Sequence, residues 1–127
     1  MKTKIVEFTF PNRKELARLD LGSGNWVDVY AVETGAMRER YWEFMYGGKK
    51  ISANVEIEAG AALKANFVTR VANWNLTFGE EIIPFNAHRP VESLEQIPWA
   101  LVEEINKFCL ELDASFKKVQ GTEDPQN

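Results

Sequence analysis

The residues best suited to nucleophilic or metal chemistry are a single histidine and a single cysteine, His88 and Cys109. His88 lies in a polar segment that contains prolines, and no Cys, His or carboxylate spacing around it resembles a zinc site. Cys109 falls on the apolar side of a predicted helix, where a small buried hydrophobe is expected rather than a reactive thiolate. Because the two residues lie on different predicted elements, the sequence predicts neither a Cys–His nucleophile pair nor a metal site.

Two further patterns could belong to an enzyme. Adjacent glutamates occur at 80–81 and at 103–104, but neighbouring side chains point in different directions and do not form an acid–base pair. The run Gly22-Ser23-Gly24 lacks the Lys-Ser/Thr of a P-loop and the third glycine of a dinucleotide fingerprint. We therefore predict no catalytic residue, no cofactor-binding residue and no cofactor, and a protein that is not an enzyme.

A small basic cluster lies beside aromatic residues, at positions 38, 40, 49 and 50. Cations interleaved with aromatic rings can stack on single-stranded nucleic acid. The whole chain, however, carries a net charge of −4 and offers no broad basic field for phosphates. Nucleic acid is therefore not the expected partner.

The composition is that of a soluble globular protein, with 127 residues of which 45% are hydrophobic and 27% charged. We predict one domain over residues 1–120 and a flexible polar tail over 121–127. No apolar run approaches the roughly 18 residues of a membrane span, so no membrane partner is expected. Glu7 interrupts the apolar N-terminal run, which is untypical of a signal peptide, and a cytoplasmic protein is expected.

Period-two patterns predict a small N-terminal antiparallel sheet over about residues 4–32. Val6, Phe8 and Phe10 alternate with polar residues, which predicts a half-buried strand over 4–10 with both phenylalanines in the core. Two further strands flank the Gly-rich turn at 22–25 as a hairpin. Clean alternation over 51–57 predicts another strand near 50–58.

Helical spacing predicts three main helices, at about 34–46, 59–74 and 98–118, and the fold class is therefore α+β. Thr34 is placed to cap the first helix, and Gly47-Gly48 to end it. Between the second and third helices we predict an irregular or hairpin connection over 76–90. The run 93–96 fits a capping box for a short helical turn.

The first helix has more apolar surface than one-sided packing requires. Its large side chains, Phe44 among them, spread over about 200° of the helix, whereas a stripe of a little over 100° is enough. Either this helix is sandwiched within its own domain or part of the arc contacts a partner. Trp99 lies off the stripe of the last helix, and it either packs on the preceding loop or stands exposed. The candidate protein-interaction residues are Met37, Tyr41, Trp42, Met45, Tyr46 and Trp99.

Three motifs resemble a known family. They are Val-Ala-Asn-Trp-Asn-Leu-Thr-Phe-Gly-Glu-Glu-Ile-Ile-Pro at 71–84, Leu-Glu-Gln-Ile-Pro at 94–98 before the closing helix, and Asn-Trp-Val-Asp-Val at 25–29. Over about residues 20–112 this order is similar to that of the tail assembly chaperones of long-tailed, siphovirus-like phages and prophages. In that family a Trp-Asn-Leu or Trp-Ser-Leu step ends a helix and is followed by a Pro-containing segment and a final helix.

The resemblance implies a non-enzymatic assembly factor in the cytoplasm of the bacterial host, absent from the finished virion. Such a chaperone binds the helical tape measure protein. The major tail tube protein and a second copy of the chain are further candidate partners. The alternatives are a structural tail-terminator or head–tail connector protein, or a small cytoplasmic ligand-binding domain.

Overall fold

The computed structural model describes residues 3–12, 14–47 and 60–123, and within them the fold is α+β, as predicted. The predicted strand near 50–58 lies outside the described residues. The elements are β1 (Thr3–Phe8), β2 (Leu16–Gly22), β3 (Asn25–Tyr30), α1 (Gly35–Tyr46), α2 (Ala61–Arg70), β4 (Val71–Phe78), β5 (Glu81–Ile83), α3 (Pro90–Leu94), α4 (Trp99–Phe116) and β6 (Lys117–Glu123).

The central sheet is antiparallel, with the strand order β2-β3-β4-β5. The predicted hairpin around the Gly-rich turn is confirmed by the pairing of β2 with β3. Val27 pairs with Trp74 of β4, and both side chains are buried on one face of the sheet. That face forms a single hydrophobic cluster with Phe67 of α2 and Ile105 of α4. The core therefore lies between the central sheet and these two helices.

The N-terminal strand lies in a different sheet from the one predicted. β1 pairs with β6 in a separate two-stranded antiparallel sheet. The prediction that Phe8 and Phe10 belong to the core is wrong, because they are 48% and 64% exposed. Their rings stack on one another 5.5 Å apart, and Phe10 lies 6.2 Å from the ring of Phe116. Phe8 and Phe10 therefore lie outside the main core. Residues 121–123 of the predicted tail form the end of β6.

The predicted helix over 59–74 is shorter than expected. It ends at Arg70, and the next eight residues form β4, so Trp74 lies on a strand. Asn73 and Asn75 point away from the core while Trp74 and Leu76 are buried, and pairing with β3 selects this alternation over the helical one. The connection predicted over 76–90 contains the β4–β5 hairpin. The last helix spans 99–116, close to the predicted 98–118.

Helix ends follow the sequence signals in one case and not in another. The Thr34 side chain accepts a hydrogen bond from the Met37 N–H at 3.3 Å, which confirms the predicted cap of α1. The capping box predicted at 93–96 is wrong, because Ser93 lies inside α3. Its hydroxyl oxygen instead accepts a hydrogen bond from the Asn86 N–H at 2.7 Å, and this bond fixes the loop before α3. Among the described residues, no helix is long and apolar enough to cross a lipid bilayer.

Candidate protein-interaction surface

Helix α1 lies at the periphery of the domain and packs mainly on α2. Met37 is its one buried residue, at 6% exposure. Tyr41 and Met45 follow Met37 at intervals of four and are half-buried, so they form the inner side of the helix. Met37 is therefore part of the core, whereas Tyr41 and Met45 lie at the boundary between the core and the surface.

Three aromatic residues of α1, Tyr41, Trp42 and Tyr46, form what we call the α1 aromatic cluster. The Trp42 ring stacks on Tyr46 with centroids 5.6 Å apart, and it meets the edge of Tyr41 at 5.3 Å. Trp42 is 47% exposed, whereas the two tyrosines are half-buried. The rings fix one another's positions, which lowers the entropy lost when such a surface binds a partner.

A charged pair supports this cluster from one end. The Arg38 guanidinium lies over the Tyr41 ring, 4.4 Å from its centroid. Its Nη2 donates to Glu33 Oε1 at 2.6 Å, which orients the guanidinium. Attraction between a cation and an aromatic face adds to the ordering of the cluster. Three of the five candidate residues on α1 thus form an ordered aromatic cluster.

On the opposite side of α1 lies an open depression that we call the α1–α3 groove, with a volume of about 330 Å³. Its apolar lining includes Phe44, which is 38% exposed, and Val91, which is 40% exposed. Arg40 and Glu43 supply charged groups at the same depression. An apolar floor with polar groups at its margin is the usual composition of a peptide-binding surface.

The groove continues past Arg40. Two adjoining depressions of about 250 and 270 Å³ both include Arg40 and Tyr30 in their linings. The larger of these two runs along the start of α1, beside Thr34 and Met37. The α1–α3 groove and the larger adjoining depression lie along α1, whereas the smaller one touches this helix only at Arg40. The elongated shape of the first two suits an extended partner better than a compact ligand.

Trp99 lies apart from the α1 aromatic cluster. Its side chain is 40% exposed and lies against Gly60, at the beginning of α2. A β-carbon at Gly60 would lie 2.9 Å from two carbons of the Trp99 ring, and Gly60 has a φ of +82°. Within the described chain, Trp99 makes no ring contact with α1. The structure therefore joins three of the six candidate residues and separates Trp99 from them.

The sequence reasoning omitted Phe44 and Val91 from the candidate site. Phe44 belonged to the predicted aromatic arc, and its position on the helix, roughly opposite Trp42, is available from the helical period. Val91 lies on the five-residue helix α3, which carries too little periodicity to orient. Local sequence pattern could therefore predict the α1 side of the groove but not its α3 side.

The two residues first considered for chemistry lie where the sequence predicted. His88 is exposed in a turn, and Cys109 is buried. Burial raises the pKa of the Cys109 thiol, and the nearby positive charge of Arg70 only partly opposes this rise. A neutral buried thiol is a poor nucleophile. In the ranges that the structure describes, no three His, Cys, Asp or Glu side chains group closely enough to ligate a metal ion.

Arg70 is the most deeply buried charged residue of the described chain, with a side chain that is 1% exposed. Its Nη1 donates to both carboxylate oxygens of Asp113 at 3.1 Å, and its Nε donates to the Tyr30 carbonyl oxygen at 3.1 Å. These bonds connect α2, α4 and the end of β3. Arg70 is thus a buried structural link between these three elements.

The chain was compared with protein-family models, with curated proteins and with solved structures, and none of the three comparisons found a match.

Proposed function

We propose that this protein is a non-enzymatic tail assembly chaperone of a long-tailed phage or prophage, and that it binds the helical tape measure protein. The observation that carries the proposal is the α1 surface, where Trp42 is 47% exposed on one flank and Phe44 is 38% exposed on the other. The motifs at 25–29, 71–84 and 94–98 supply the family resemblance.

The geometry suits a helical client. An amphipathic helix binds in a groove through apolar side chains that repeat every three to four residues. The α1–α3 groove offers Phe44, Val68 and Val91 to such side chains, with Arg40 and Glu43 beside them for polar groups. Aromatic residues at a contact surface bury a large area with few rotatable bonds. In this proposal α1 shields the apolar stripe of the tape measure protein from water before the tail tube forms around it.

The proposal includes where the protein acts. A chaperone that leaves its client before tail completion works in the cytoplasm of the bacterial host and is absent from mature virions. It has no catalytic step and needs no cofactor. The major tail tube protein is a second candidate partner, since it polymerises around the same client.

The experiment is co-expression with the tape measure protein encoded in the same gene cluster, followed by measurement of the soluble client and of the co-purified complex. We expect the wild-type protein to keep the client soluble, and Phe44→Ala to reduce recovery of the complex several-fold. Phe78→Ala is the matched control, because Phe78 is 40% exposed but lies on β4. Its complex should be recovered at the wild-type level.

Two results would contradict the proposal. In the first, the client stays insoluble with the wild-type protein and no complex is recovered. In the second, mass spectrometry of purified virions finds the protein at a stoichiometric level, which would make it a structural terminator or connector.

A further inference from the structure

Strand β2 is an edge of the central sheet and presents its outer side to solvent. It pairs with β3 on one side, and no other strand of the described residues pairs with it. The Ala31 N–H donates to the Glu15 carbonyl oxygen at 2.9 Å. Because hydrogen-bonded pairs alternate in an antiparallel ladder, the main-chain groups of Leu16, Arg18 and Asp20 point away from β3. A row of this kind is a template for a further strand.

The two edge strands of the central sheet, β2 and β5, differ in how readily a further strand could pair with them. The other edge strand, β5, has three residues and is followed directly by Pro84. Short edge strands and prolines are the usual means of preventing edge pairing. β2 has seven residues and contains no proline. It is also partly apolar at the surface, because Leu16 is 45% and Leu21 is 39% exposed.

The sequence of β2, Leu-Ala-Arg-Leu-Asp-Leu-Gly, is complementary to itself when reversed about its central leucine. We propose that β2 pairs antiparallel with β2 of a second copy of this chain, about a two-fold axis at Leu19, and joins the two central sheets into one. In this register Arg18 lies opposite the partner's Asp20, and Asp20 lies opposite the partner's Arg18. These are the positions whose main-chain groups point outward, so each pair exchanges main-chain hydrogen bonds as well.

Charge selects this register over its neighbours. Moving the axis by one residue would place Arg18 opposite a second Arg18, or Asp20 opposite a second Asp20, and like charges directly opposite one another destabilise a sheet. Arg18 is already oriented on the outer face, since its guanidinium lies 3.8 Å above the Trp26 ring and its Nε donates to Asp28 at 2.8 Å. Its side chain remains 54% exposed and can still meet a partner's carboxylate.

Apolar contacts on the other face support the same arrangement. Ala17 and Leu19 pack against the core from one face of β2. Leu21 lies at the irregularity in the pairing of β2 with β3, between Asp20 and Gly22. At the axis Leu19 would meet the partner's Leu19, and Leu21 would lie beside the partner's Ala17. The pairing would therefore cover the exposed part of Leu21. It uses β2, whereas the proposed client surface is on α1, so the two proposals stand independently.

Disulfide cross-linking tests the register directly. Leu19→Cys places two thiols at a non-hydrogen-bonded pair, where the Cα atoms are about 4.5 Å apart, within disulfide range. Leu21→Cys is the matched control, because in this register its thiols are four residues apart along the strands, about 13 Å. We expect mild oxidation to convert Leu19→Cys to a covalent dimer and to leave Leu21→Cys and wild type uncross-linked, since Cys109 is buried. Equal cross-linking of both variants, or none in a folded Leu19→Cys, would overturn the proposal.

Sedimentation equilibrium supplies a second test, and its variant changes a charged residue rather than an apolar one. Wild type should be dimeric, and Asp20→Lys should raise the dissociation constant about tenfold or more, because it places a lysine opposite Arg18 in each of the two pairs. Glu80→Lys makes the same charge change in the exposed β4–β5 turn and should leave the constant within about twofold. A monomeric wild type would overturn the proposal. Equal effects of the two lysine variants would overturn it too.

Discussion

Two tryptophans, Trp74 of β4 and Trp42 of α1, lie in opposite environments, one buried and the other largely exposed. Trp74 of β4 is 5% exposed, lies between Phe67 and Phe85, and donates its Nε1–H to the Ile83 carbonyl oxygen at 2.8 Å. Trp42 of α1 is 47% exposed, and its ring contacts are with Tyr41 and Tyr46 of the same helix. The first is fixed by long-range packing and the second by local stacking. The difference indicates that the sheet–helix core maintains the fold while α1 is available for contact.

The largest expected effect comes from the core. Trp74→Ala removes a buried ring and leaves the Ile83 carbonyl oxygen without its donor, so we expect the free energy of unfolding to fall by about 3–5 kcal/mol. Urea denaturation followed by circular dichroism measures this change. Trp74→Phe keeps most of the volume and should recover part of the loss. A change below about 1 kcal/mol for Trp74→Ala would remove the distinction between the two regions.

The second largest loss of stability is expected at the ion pair between Arg70 and Asp113. Asp113→Asn removes the negative partner of the buried Arg70, and we expect a loss of about 2 kcal/mol. This is less than for a fully buried pair, because the Asp113 side chain is 37% exposed and water replaces part of the interaction. Glu111→Gln, an exposed neutralisation on the same helix, is the control and should change stability by less than about 0.5 kcal/mol. Equal effects of the two variants would mean that the Arg70 contact adds no stability.

The junction between α2 and Trp99 should show an intermediate effect. Gly60→Ala forces a positive φ on a residue with a side chain and pushes its β-carbon against the Trp99 ring, so we expect a loss of about 1–2 kcal/mol. Gly35→Ala is the control, because nothing lies within 4 Å of a β-carbon there. Thermal unfolding with tryptophan fluorescence measures both. When the ring is removed by Trp99→Ala, Gly60→Ala should cause a smaller loss of stability. An unchanged loss would mean that it comes from the positive φ of the backbone alone.

The smallest stability effect belongs to the exposed surface. Trp42→Ala removes a side chain that is nearly half exposed, and we expect the free energy of unfolding to change by less than about 1 kcal/mol. The same variant should lose most of its client binding in a pull-down of the tape measure protein. A loss of several kcal/mol with binding retained would make the α1 aromatic cluster part of the core.

The elements that could be predicted from the sequence are those with capping residues or a clear apolar stripe. Thr34 and Gly47 bound α1, and the apolar stripe through Val102, Ile105 and Cys109 defines α4. The boundary at Arg70 was not predictable from local pattern, because Phe67, Val71 and Trp74 also fit a helical period. Pairing of Val27 with Trp74, which is distant in sequence, decides in favour of the strand.

The candidate surface was predictable to a similar extent. The helical period located the aromatic arc of α1, but it could not separate Met37, which faces α2, from Trp42, which faces solvent. That separation depends on where α2 packs. The same limit applies to Phe8 and Phe10, whose alternation is typical of a buried strand. Only the distant partner β6 determines that they lie outside the main core.

The pairing of β1 with β6 also affects the order in which the chain folds. Thr3 pairs with Glu123, and Phe8 with Lys117, so this small sheet closes a loop that contains all the other described elements. Closing a loop of that length costs entropy that few local contacts offset. The β1–β6 ladder should therefore form after the central sheet and open before it. In hydrogen exchange its amides should be the earliest of the strand amides to exchange, and those of β3 and β4 the latest.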